Sequence, residues 1–96
     1  MHSSADPIVL EMFVTAKDCG SYERAATLLH RSPSDIRQAI DELEQSLGNQ
    51  LFAHSLTPLH LSLEGQMLYL HALDVLDSWY LSQNIIRQLQ QTSLAS

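Results

Sequence analysis

From Ser62 to about Gln91 the sequence holds no proline and one glycine, Gly65. Within that run Leu63, Met67, Leu70, Leu73, Leu76 and Tyr80 recur at spacings of three and four, as do Leu81, Ile85 and Leu89. The spacing predicts a single helix on the order of 28 residues, roughly 42 Å by the standard rise. A second apolar line, Leu68, Ala72, Val75 and Trp79, runs along the same helix. The rest of a 96-residue chain is too short to cover such a helix along its whole length. One line is therefore expected to serve the chain's own core. The other, Leu68 to Trp79, is expected to meet a partner helix, giving a homodimer with antiparallel linker helices. The tail 92–96, "TSLAS", reads as frayed.

Upstream, three shorter helices are punctuated by clear start and stop signals. Asp6-Pro7 pairs a capping acid with proline at the first helical position. Leu10, Phe13, Val14 and Lys17 follow at helical spacing, and Gly20 suits a left-handed cap. Ser21 starts a short second helix in which Tyr22, Ala25, Ala26 and Leu29 share a face. Its paired alanines suit close helix–helix approach. Ser32-Pro33-Ser34-Asp35 opens a third helix with a serine cap, a first-position proline and an acid three residues after the cap. Ile36, Ile40, Leu43 and Leu47 mark its buried stripe, and Gly48 closes it. The segments "QLFA" and "PLHLS" around "HSLTP" then read as a two-stranded hairpin, a wing. The fold class is mostly all-α: a winged helix-turn-helix over 1–61, a linker and dimerisation helix over 62–91, and the tail.

Composition removes several classes of function. With 45% hydrophobic and 17% charged residues the chain is globular. A formal charge of −6 argues against nonspecific coating of nucleic acid or anionic membrane. Cys19 is the sole cysteine, so no internal disulfide forms, which fits a reducing cytoplasm. No signal peptide and no membrane span are read from the sequence. The five histidines are scattered without an i, i+4 pair, so no metal site is expected. No nucleophile elbow or phosphate loop is present, and neither an enzyme nor a cofactor is expected.

At the residue level the chain resembles the N-terminal domain of LysR-type transcriptional regulators. The matching stretches are Phe13-Val14, Gly20 to Tyr22, "RAATLLHRS" from Arg24 to Ser32, "IDELEQSLGNQLF" from Ile40 to Phe52, and "LSLEG" from Leu61 to Gly65. The resemblance implies that the second and third helices form the helix-turn-helix, with the third in the major groove of DNA. It implies that the wing touches the adjacent backbone or minor groove and that linker helices pair two chains. Most members continue into an effector-binding domain, and this chain stops where that domain would begin. It departs from the family pattern at Pro33, where glutamine is usual, and at Arg37 and Gln38, where serine and arginine are usual. It departs again at Asp41 and Glu42, where bases are common, and in a wing armed only with His54 and His60.

Between Asp35 and Glu44 stand four acids and one base. Asp35 is expected in a capping box, and Glu44 with an intramolecular partner such as Arg24 or Arg31. Asp41 and Glu42 have no such role, and one of them should stand beside docked DNA. At ~8 Å from a phosphate each costs about 0.5–2 kcal/mol. Two readings follow. In the first, a transcriptional regulator reads a two-fold-related site in double-stranded DNA as a dimer. Ser32, Ser34, Arg37 and Gln38 then lie in the groove, with Arg31, His54 and Ser55 near the backbone. In the second, a LysR-like protein acts through protein contacts, by heterodimerisation or through its acidic surface, with weak or no DNA binding.

Overall fold

The computed structural model describes residues 6–53 and 58–95, with side chains through Thr92. Its elements are α1 (Pro7–Cys19), α2 (Tyr22–Leu29), α3 (Pro33–Leu47) and α4 (Leu63–Ala95). Each short helix is closed by side chains that the sequence signals. The Asp6 carboxylate accepts from the Ile8 N–H at 2.9 Å, the Ser21 hydroxyl from Arg24 N–H at 3.1 Å, and the Ser32 hydroxyl from Asp35 N–H at 3.0 Å. Each of these bonds satisfies a backbone donor that helix geometry leaves free. Gly20 and Gly48 end α1 and α3 in the left-handed region, and His30 does the same for α2 at φ 56°.

The core lies where α1 crosses the other helices. Leu10, Phe13 and Ala16 of α1, Ala25 of α2, and Ile36 and Ile40 of α3 are fully buried. Met12 and Val14 join them, so α1 is more deeply enclosed than its Leu10–Phe13–Val14 stripe implies. Leu47, expected in the buried stripe, is 39% exposed at the last position of α3 before the Gly48 cap.

The expected two-stranded wing is reduced, among the described residues, to one antiparallel bridge between Phe52 and Leu61. Ala53 N–H donates to the His60 carbonyl at 2.7 Å beside it. Leu51, Phe52 and Leu59 turn inward, and Leu59 N–H donates to the Gly20 carbonyl at 2.9 Å. Side-chain packing thus holds this segment where a ladder does not. Phe52 lies 5.6 Å from Phe13 and 6.2 Å from Tyr22 between ring centroids.

The long helix is present and longer than expected: α4 runs 33 residues to Ala95, through most of the tail that reads as frayed. Ser62 starts it, its hydroxyl accepting the Gly65 N–H at 2.9 Å and donating to the Gln50 carbonyl at 2.5 Å, while its N–H donates to the Leu51 carbonyl at 2.8 Å. A Cβ on Gly65 would stand 2.0 Å from the Leu51 carbonyl oxygen, so only glycine permits this crossing.

Candidate nucleic-acid interface

Helices α2 and α3 meet at a three-residue turn, His30 to Ser32, the spacing of a helix-turn-helix. The inner face of α3 carries Ile36, Ile40 and Leu43 into the core. Its outer face must then present Ser34, Gln38, Asp41 and Gln45, and all four are exposed. Arg31 is exposed in the turn. Ser32 is exposed, but its hydroxyl is engaged by the Asp35 N–H. Among the described residues the reciprocal bond of a full capping box, from Ser32 N–H to Asp35, does not occur.

Arg37 and Gln38 are exposed, and each is drawn toward a neighbour. The Arg37 guanidinium sits 5.4 Å from the centroid of the Tyr22 ring, a cation–π arrangement. Gln38 Nε2 donates to Glu42 Oε2 at 3.3 Å. Arg37 also faces an open cleft of about 330 Å³ between α2, α3 and the 50–53 segment, lined by Tyr22, Asp41, Glu44 and Phe52. Burial pushes the Tyr22 phenol above its usual range; Glu44 and Asp41 add to that shift and Arg37 opposes it. Tyr22 thus serves as the platform for the arginine, a role that inspection of α3 by itself does not reveal. The signal lies in the "GSY" stretch that starts α2.

Glu44 has a different partner from the arginines expected for it. Its carboxylate accepts the Leu51 N–H at 2.7 Å and the Phe52 N–H at 3.5 Å. After Gly48 the chain returns alongside α3, and these two donors lack a sheet partner at that point. Glu44 therefore ties the reading helix to the base of the wing. His54 and Ser55 lie outside the described residues. Among the described residues no group of three His, Cys, Asp or Glu could hold a metal ion, and no helix is long and apolar enough to cross a membrane.

Of the four residues expected at a partner helix, Ala72 is turned inward and the other three, Leu68, Val75 and Trp79, are partly buried within the single chain, packed against its core. The stripe expected to face inward is split: Leu76 is buried in the core, whereas Leu63, Met67 and Leu70 are each about two-thirds exposed or more. The reason is steric. α1 lies close against α4, and the small side chain of Ala72 allows that approach, whereas Leu70 or Leu73 in its place would hold the helices apart. Tyr69 and Tyr80 fasten the same contact, their hydroxyls donating to Asp18 Oδ1 at 2.7 Å and to the Glu11 carboxylate. The hydrogen bond to Asp18 raises the Tyr69 phenol, and the bond to Glu11 pushes Tyr80 up to about 12.

Two helices joined at a tight turn, the second open along its outer row and braced from behind by α1 and α4, define a helix-turn-helix protein. The family model for the bacterial regulatory helix-turn-helix proteins of the lysR family matches residues 9–66. The match covers more than half of the chain, and the chain belongs to that family. It is 32% identical over 85 residues to the HTH-type transcriptional regulator MetR of Escherichia coli K12, covering 88% of this chain and 27% of that protein. The chain thus spans little more than a quarter of that relative's length. HinK, a LysR family transcriptional regulator from Pseudomonas aeruginosa, shares 30% identity at a TM-score of 0.73, over 82% of this chain and 26% of HinK. The BenM DNA-binding domain, solved in complex with catB site 1 DNA, superposes at a TM-score of 0.81 with 24% identity, over 88% of this chain and 96% of that one. This last likeness is one of fold.

Proposed function

We propose that this chain is the DNA-reading part of a LysR-type transcriptional regulator, which works in the cytoplasm and reads a two-fold-related duplex site as a dimer. The observation that carries this reading is the open start of α3, where Ser34, Arg37 and Gln38 stand exposed one turn beyond the Arg31 corner. An arginine pairs with guanine and a glutamine with adenine in the major groove. Ser32 and Ser34 lie at the groove edge, and Arg31 approaches a phosphate. The completed two-stranded wing, with His54 and Ser55, lies along the adjacent backbone. Two chains join through α4, where Leu68, Val75 and Trp79 keep part of their surface open, and no chemistry is catalysed.

A second reading draws on the engaged state of the same residues. Arg37 leans on Tyr22, Gln38 is held by Glu42, and Asp41 stands in the outer row. Such a face suits a basic protein partner better than a polyanion. Titrating fluorescent genomic duplexes with the chain at about 50 and 200 mM salt separates the two readings. DNA reading gives affinity that falls steeply with salt. A slope near zero, with the fold intact by circular dichroism, removes DNA reading and leaves the protein-contact function.

A further inference from the structure

Three aromatic rings and one guanidinium form a line from the core to the outer face of α3. Phe13 is fully buried, and its ring lies 5.6 Å from that of Phe52. The Phe52 ring meets Tyr22 edge to face, at 6.2 Å and 90°. The Arg37 guanidinium then lies over the Tyr22 ring, 5.4 Å from its centroid. Tyr22 is the first residue of α2, and the Ser21 cap fixes the backbone that carries it. Packing from the core and a capped helix start thus hold the ring on which the arginine rests.

The neighbours leave the donors of that guanidinium free. Asp41 and Glu44 line the same cleft, yet among the described residues neither forms an ion pair with Arg37. Glu44 is committed instead to the Leu51 and Phe52 N–H groups. Gln38, the adjacent polar side chain, is bonded to Glu42. Stacking on an aromatic ring uses the flat face of a guanidinium and spares its N–H donors, which lie in its own plane. Those in-plane donors are the ones that pair with O6 and N7 of guanine. An unsupported arginine gives up rotamer freedom to reach this pairing, and one already held on a ring gives up less.

We infer that Tyr22 is a positioning residue for base readout: its ring orients Arg37 so that each half-site is read for a guanine. This role rests on the DNA reading proposed above and deepens it, by placing part of the sequence preference in a residue of α2, outside the reading helix. Preference at that base pair then depends on a contact made before DNA arrives, whereas general affinity depends on the phosphates around it.

The test selects bound sequences from a library of random-sequence duplexes at about 50 mM salt. It compares the unchanged chain with Tyr22→Phe, Tyr22→Leu, Arg37→Ala and Arg37→Lys, each checked for its fold by circular dichroism. The guanine read by Arg37 is the base whose enrichment falls about tenfold or more in Arg37→Ala. Tyr22→Phe, which keeps a ring, should retain that enrichment. Tyr22→Leu, which keeps apolar bulk without a ring, should lower it roughly two- to fivefold and leave other enriched bases unchanged. Arg37→Lys, an exposed change that keeps the charge, should lower it at least as much.

A Tyr22→Leu profile equal to that of the unchanged chain overturns the inference, and so does a loss spread evenly over all positions. If Tyr22→Leu does not fold, Arg37→Lys decides: undiminished guanine enrichment overturns the inference, because an ammonium has no plane for a ring to orient. Bound duplexes without any guanine that depends on Arg37 also overturn it, and leave the proposed function standing. Retention of no duplex by the folded, unchanged chain overturns the proposed function as well.

Discussion

The carboxylate of Glu44 accepts the backbone N–H of Leu51 at 2.7 Å, bridging the end of the reading helix and the base of the wing. Leu51 is 1% exposed, so without this acceptor its N–H lacks a partner in a nearly dry position. An unsatisfied buried donor costs about 1–3 kcal/mol. Glu44→Ala is therefore expected to lower stability by that amount in urea denaturation. Glu44→Gln, which keeps an acceptor oxygen, should lose less than half as much. Equal losses in both variants would show that charge rather than acceptance matters at this position.

Gly65 gives the second prediction. A methyl group there meets the Leu51 carbonyl oxygen at 2.0 Å, and backbone cannot swing aside as a flexible side chain can. Gly65→Ala is expected to destabilise the domain by about 2–4 kcal/mol, despite the higher helix propensity of alanine. A variant as stable as the parent in thermal melts would mean that α4 crosses the 51–52 segment at a greater distance.

The Tyr80 phenol, held by Glu11, should titrate near pH 12, above the ordinary tyrosine value. Its raised value means that the neutral phenol is favoured in the folded chain. The associated stability is present below about pH 10 and disappears as pH rises through the folded value. Tyr80 is 47% exposed, so the effect on overall stability is small. Phenolate absorbance near 295 nm checks it directly. Glu11→Gln should move one of three tyrosine transitions down toward the ordinary range, and Tyr80→Phe should remove that transition altogether.

The acids of α3 lead to a prediction of opposite sign. Asp41 and Glu42 are exposed on the face that the proposed function turns toward DNA. At ~8 Å from phosphate each opposes binding by about 0.5–2 kcal/mol. Asp41→Asn/Glu42→Gln together should therefore tighten duplex binding by about 1–4 kcal/mol per chain, roughly fivefold to several-hundredfold at low salt. Unchanged affinity in anisotropy titrations would place both residues away from the bound backbone.

Much of this architecture is legible in the sequence because helix ends are written in local chemistry. Asp6, Ser21 and Ser32 announce three helix starts, and Gly20 and Gly48 two ends, each through a bond or backbone angle made within a few residues. The two faces of α4 are less legible for the opposite reason. Both lines are apolar at helical spacing, and periodicity cannot say which one α1 will cover. The deciding detail is the size of Ala72, the same small-side-chain signal that the paired alanines of α2 give. Glu44 is hidden for another reason: its partners are backbone donors on a segment that returns only after a reversal at Gly48. Charge pairing suggests Arg24 or Arg31, but a carboxylate satisfies two backbone N–H groups without any base. The wing depends on pairing between segments about nine residues apart, and among the described residues that pairing is one bridge flanked by inward leucines.

The most direct test of the proposed function follows backbone amides by heteronuclear NMR as a short duplex is added at about 50 mM salt. If α3 is the reading element, the largest shifts fall on Arg31 and on Ser34 to Gln38, and they fade as salt is raised. Shifts confined to the exposed ridge of α4, or none at any duplex concentration, would contradict it.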